Sequence, residues 1–199
     1  MPPFPCPRAS LAAIAAVAVT LSAALPARAE GAADPVRVTQ TAIRLFNQAC
    51  VRNLRQEAGV REVLQAAGFR PAPAEQAALH LGGRPGTLFV SSDAAMPVAV
   101  IVRPAAAQCE VRAPTADVPL AETEFRGTIE SLASPRVMIR RDSEERSSAS
   151  GRPGITMVFS AGAPPLEEGG ARLAMQARQP VAGGIALSLT ASGQPLDAR

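Results

Sequence analysis

Apolar residues recur three and four apart at Val38, Ala42, Leu45, Phe46, Ala49 and Cys50. That spacing predicts a helix from Val38 to about Asn53, with Phe46 and Cys50 on its buried stripe. Gly59 interrupts the pattern. Val60, Val63, Leu64 and Ala67 resume it as a second short helix that Gly68 ends. Pro73 opens a third helix, carrying Ala74, Ala77, Ala78 and Leu81 and closed by Gly82-Gly83. The period then shortens to two. Thr87–Ser91, Val98–Val102 and Gln108–Arg112 read as strands, the last with Cys109 and Val111 on one face and Glu110 and Arg112 on the other. Thr115 or Asp117 can cap a fourth helix with Pro119 in its first turn and Leu120, Phe125, Ile129 and Leu132 as its apolar positions. Ser134-Pro135 ends it.

Four more strands follow. Val137, Ile139 and Arg141 alternate with Met138 and Arg140; Ile155, Met157 and Phe159 share a face, as do Leu173, Met175 and Ala177, and then Ile185, Leu187 and Leu189. Asp142 to Gly154 and Ala161 to Gly170 read as long hairpin loops, and Gly183-Gly184 as a tight turn. With no helix between these strands, their pairing is antiparallel. The expected fold is α+β: N-terminal helices and one central helix on a largely antiparallel sheet of about seven strands. A short echo, Arg84-Pro85-Gly86 and Arg152-Pro153-Gly154, each ahead of a strand, also admits two α-plus-meander halves.

The N-terminus has another character. Arg8 and the free amino group precede an apolar run from Leu11 to Leu25, and Ala27 and Ala29 supply the small residues that signal peptidase reads. Residues 1–29 read as a signal peptide cleaved before Glu30, leaving a single domain over 30–199 with a short disordered leader at 30–36 and a short C-terminal tail. The rival reading is an uncleaved anchor, but the run is shorter than the roughly 20 residues that span a bilayer. Cys6 precedes the apolar run, so it does not occupy a lipoprotein position. The expected location is the bacterial periplasm or outside the cell, with no membrane span after cleavage.

Composition changes the picture in two ways. All twenty basic residues are Arg, and the pI of 9.3 overstates the mature charge. With Arg8 and Arg28 removed, eighteen arginines face seventeen acids, a balance of +1. Arginines interleaved with acids, and no Trp or Tyr to stack on bases, argue against a nucleic-acid partner. Two cysteines remain, Cys50 and Cys109. In an oxidising compartment an even pair reads as a disulfide. The alternative is a reactive thiol, which the lack of a C-x-x-C pair disfavours.

Chemistry-bearing residues are sparse. His80 is the only histidine. It reads as a residue suited to a helix C-terminus, or alternatively as a general base or ligand. Ser91 and Ser92 at a strand end could supply a nucleophile to it, as could a free cysteine. No G-x-S-x-G elbow, S-x-x-K motif, phosphate loop or zinc-ligand cluster appears, so no catalytic residue, cofactor or metal is assigned. Asp142-Ser143-Glu144-Glu145 lies among Arg140, Arg141 and Arg146 and reads as a solvated, self-neutralised loop.

Phe46-Asn-Gln-Ala-Cys50, the segment from Val60 ending in Ala67-Gly68-Phe69, and Cys109-Glu-Val111 together resemble a pattern of small uncharacterised exported proteins of proteobacteria. The resemblance covers about the first half of the mature chain. It implies a Cys50–Cys109 bridge tying the first helix to the sheet, and brings no activity or catalytic residue with it. The expected function is therefore a non-enzymatic periplasmic binding or accessory module with an unknown protein or small-molecule partner in the cell envelope. The alternative is a small hydrolase using His80 with Ser91, Ser92 or a free cysteine. An envelope factor attached through a partner is a third reading.

Overall fold

The computed structural model describes residues 33–148, 152–164, 166 and 170–193. The expected signal peptide, the expected cleavage residues Ala27 and Ala29, and the expected C-terminal tail lie outside the described residues. Helix α1 (Pro35–Leu45) starts three residues before the expected Val38, inside the segment assigned to a disordered leader. Asp34 is the reason: its side chain accepts the Val36 N–H at 3.1 Å, and Pro35 at the first helical position has no N–H to satisfy. One π-helical turn (Phe46–Val51) continues α1 and carries Cys50. Gly59 does not interrupt a helix. It lies in the first turn of α2 (Glu57–Ala66), where a β-carbon would run into the Asn53 amide. The break comes earlier, at Arg55, whose φ is +72°. Helix α3 (Ala74–Leu81) ends at Gly82, which takes the left-handed conformation that a C-cap requires. Of the two cap candidates for α4 (Val118–Leu132), Asp117 does the capping and accepts the Leu120 N–H at 2.9 Å.

The strands are β1 (Phe69–Pro71), β2 (Thr87–Ser91), β3 (Ala99–Arg103), β4 (Gln108–Ala113), β5 (Met138–Ser147), β6 (Gly154–Gly162), β7 (Ala171–Arg178) and β8 (Leu187–Gly193). They form one antiparallel sheet in the order β1-β2-β3-β4-β8-β7-β6-β5. Eight strands stand where about seven were expected, because three-residue β1 is too short to show a period. Two four-stranded meanders, β1–β4 and β5–β8, meet edge to edge at β4 and β8. Their registers match across that join. Phe89 pairs with Val100 and Val100 with Val111; Met157 pairs with Met175 and Met175 with Leu189; and Val111 pairs with Leu189 at the join. An approximate two-fold axis passes through the last pair. In that frame Gly86 and Gly154, three residues before Phe89 and Met157, are equivalent. The Arg-Pro-Gly echo therefore marks the start of the second strand in each half.

Helices α1 and α4 lie side by side over the join, one heading each half. Alternation sends Phe89, Val100, Cys109, Val111, Leu189, Met175, Met157 and Phe159 towards them, and these residues belong to the main core. Phe125 of α4 sits 5.8 Å from the Phe46 ring and 6.0 Å from the Phe159 ring, linking helix layer to sheet. Cys50 and Cys109 form a disulfide with Cα atoms 5.2 Å apart. Buried Thr39 of α1 accepts the Asp117 N–H at 3.0 Å and fixes where α4 begins.

Two expectations in the second half are corrected. Asp142 to Ser147 belongs to β5 and is not part of a loop. Its even positions, Glu144 and Arg146, face α4 and pair with Arg126 and Glu122, so ion pairs replace the apolar alternation that would have announced a strand. Ile185 lies outside β8 in the preceding turn. The Arg178 Nε holds it there by donating to its carbonyl at 2.7 Å.

Candidate functional site

The opposite face of the sheet carries Leu88 and Val90 of β2, Ala99, Ile101 and Arg103 of β3, and Glu110 and Arg112 of β4. Leu88 and Ile101 are buried yet stand apart from the main core. Helix α3, which packs on β2, closes over this side. Beside it opens a cleft of about 550 Å³, within the range of small-molecule sites. Val90 and Ala99 line its floor with Arg112. Gln76 and His80 of α3 form one wall, Met96 and Pro97 of the β2–β3 loop another, and Gly183, Gly184 and Ile185 the third. These walls are fixed by backbone bonds. The Ala186 N–H donates to the Ala113 carbonyl at 2.9 Å, and the Met96 N–H to the Asp93 carbonyl at 3.0 Å. Gly183 has a φ of +70°, a backbone state that a side chain rarely adopts.

Arg112 belongs to a charged group that is unusual on a sheet. Its Nε and Nη2 donate to the two carboxylate oxygens of Glu110 at 2.6 and 2.9 Å. Ser188 of β8 donates to the same carboxylate at 3.0 Å. Arg103 lies 3.7 Å from it, an ion-pair distance too long for a hydrogen bond, and donates instead to Gln108 at 3.3 Å. Side-chain exposure is 5% for Arg103, 10% for Glu110 and 21% for Arg112. Two guanidiniums and one carboxylate leave a net charge of +1 beside the cleft. The Arg103 Nε is buried with no partner, so the group has donors to spare.

Of the sequence-predicted residues, His80 and Ser91 both line this cleft. They are not joined: among the described residues no hydrogen bond links His80 to Ser91 or Ser92. The Ser91 Oγ accepts the Asp93 N–H at 3.1 Å, and the Ser92 hydroxyl donates to the Gly68 carbonyl at 2.9 Å. His80 is exposed in the last turn of α3, ahead of Gly82. Cys50 and Cys109 are bonded to each other and buried, so neither is a free thiol in this structure. Among the described residues no group of three or more His, Cys, Asp or Glu side chains is gathered closely enough to hold a metal. Arg103, Glu110 and Arg112 were missed as a site. The available signal was two charges at i and i+2 on one face of an otherwise apolar strand.

Two other polar regions are secondary. A hollow of about 630 Å³ between α1 and the β2–β3 loop mixes Arg37 and Arg44 with Asp93 and Glu124, and its charges offset one another. On the other half, Glu122 and Arg126 of α4 interlock with Glu144 and Arg146 of β5. The hydrogen bond from Arg146 holds the Glu122 carboxyl below its ordinary pKa, and that from Arg126 does the same for Glu144. This cluster clamps the edge strand to the helix.

No protein-family model matches the chain, and no curated protein or solved structure is significantly similar to it. Among the described residues no helix is long and apolar enough to cross a membrane.

Proposed function

We propose that this chain is an exported, non-enzymatic binding or accessory module of the bacterial periplasm, and that the cleft beside α3 is where it binds. The cleft carries the reading: it is half-open and mostly apolar, and one of its lining residues is Arg112, whose guanidinium is held in a fixed orientation by Glu110. Pockets of this make-up bind by enclosing an apolar body and orienting it with few polar groups. Export is supported by the signal-like N-terminus and by the Cys50–Cys109 bridge, which suits an oxidising compartment.

Binding is tested with a fluorescent apolar probe on the purified protein. Saturable binding that Ala99→Leu abolishes, with the far-UV spectrum unchanged, supports the reading, since a leucine at Ala99 fills the floor. Probe binding that is absent, or indifferent to Ala99→Leu, refutes it. Export is tested by the intact mass of periplasmic protein: a chain starting at Glu30 that takes up alkylating reagent only after reduction is expected.

The alternative is a small hydrolase, favoured by one observation: His80 and Ser91 line the same cleft. Ester hydrolysis lost on His80→Ala would support it. A rate that His80→Ala leaves unchanged would remove it, because the chain has no other histidine.

A further inference from the structure

We infer that the ligand of this cleft is a monocarboxylate with an apolar body, its carboxylate received by Arg112. The inference rests on the cleft being the binding site and goes further by naming the ligand's chemistry. A guanidinium has two hydrogen-bonding edges. The Nε and Nη2 edge of Arg112 is taken by Glu110, which does not line the cleft. What remains to Arg112, which does line it, is the Nη1–Nη2 edge, and that edge matches the two oxygens of a carboxylate. Glu110, itself held by Ser188 and flanked by Arg103, keeps the guanidinium from turning.

Charge selects the same class. The Arg103–Glu110–Arg112 group carries +1, which one carboxylate neutralises. Asp93 also lines the cleft, and its own charge is paired with Arg37 at 3.8 Å. Once one carboxylate has neutralised the group, the second charge of a dianion such as a phosphate monoester has no counter-charge there. Val90, Ala99, Pro97 and Ile185 then offer the body of the ligand no polar partner, so its burial favours hydrocarbon.

The test is calorimetric titration of the full mature chain with octanoate, octanol and inorganic phosphate. Octanoate is expected to bind about tenfold or more tighter than octanol, the worth of a charge-assisted hydrogen bond, and phosphate to bind more weakly than either. Arg112→Gln should erase the preference for octanoate while octanol still binds, and Ala99→Leu should abolish both. The comparison within the unaltered protein needs no variant to fold. Equal affinities for octanoate and octanol would overturn the carboxylate assignment and leave the apolar cleft standing. Phosphate binding more tightly than octanoate would also overturn it. Octanoate binding that survives Ala99→Leu, or no binding of octanoate or octanol, would overturn the assignment, with the apolar-probe experiment showing whether the cleft itself fails.

Discussion

Replacing Glu110 by Gln leaves two largely buried guanidiniums without a counter-charge, and the consequence can be sized from the structure. Glu110 accepts two bonds from Arg112 and one from Ser188, and lies 3.7 Å from Arg103. Glutamine keeps the shape but not the charge, and it cannot accept the fork on both ends. Removing one partner of a buried pair costs about 3–5 kcal/mol, mostly from the charge left behind. Arg112 is 21% exposed and reaches some water, which sets the expectation near the lower end, about 3 kcal/mol. For a domain of this size each kcal/mol is worth about 2–4 °C, so the melting temperature should fall by roughly 6–12 °C. The assay is urea and thermal unfolding followed by circular dichroism at neutral pH, with the disulfide intact. Adding Arg103→Met should recover part of the loss, because it removes the most deeply buried unpaired charge; residues in contact are not additive. A loss under about 1 kcal/mol for Glu110→Gln, or an Arg103→Met cost that adds in full, would refute the account of this group.

Breaking the disulfide, by Cys50→Ser with Cys109→Ser, should cost about 4 kcal/mol in the chain-entropy model for a separation of 59 residues, measured as a lower urea midpoint. Glu122 and Glu144 both titrate below the ordinary 4.5 in the folded state, so their contribution is present above that value and is lost as pH falls through their lower folded pKa values. Melting temperature should therefore drop on acidification below about 4.5, and Glu122→Gln should flatten the drop; an unchanged acid limb would refute the role of the clamp. A β-carbon at Gly86 would lie 2.8 Å from the Val102 carbonyl oxygen, so Gly86→Ala should destabilise by about 1–3 kcal/mol in the same unfolding assay. The open space around Gly127 predicts no such clash for Gly127→Ala, which serves as the control.

Most elements were legible because each carries its own period. Phe46 and Cys50 repeat at helical spacing and are buried on the helix; Met157 and Phe159, or Leu173 and Met175, alternate and are buried on the sheet. The errors have separate causes. Where burial is not apolar, the period is silent: β5 alternates charges that are satisfied by Arg126 and Glu122 on another element, so it read as a loop. Gly59 read as a break because glycine is costly inside a helix, but its place in the first turn beside Asn53 makes the missing side chain an advantage. Of the candidate site, His80 and Ser91 stood out as residue types, whereas Arg112 was one arginine among twenty.

What the sequence determined by itself is local: which face of each segment is buried, where helices are capped, that the late strands pair antiparallel, and that Cys50 and Cys109 are available to each other. Tertiary structure alone decided that β4 joins β8, that the two meanders are related by a two-fold axis through Val111 and Leu189, and that α3 closes over the second face beside a fixed guanidinium. The physical reason is range. Periodicity and capping act between residues a few positions apart, whereas the join, the charged group and the cleft each depend on segments distant in sequence, whose pairing is settled only when the whole sheet is assembled and buried together.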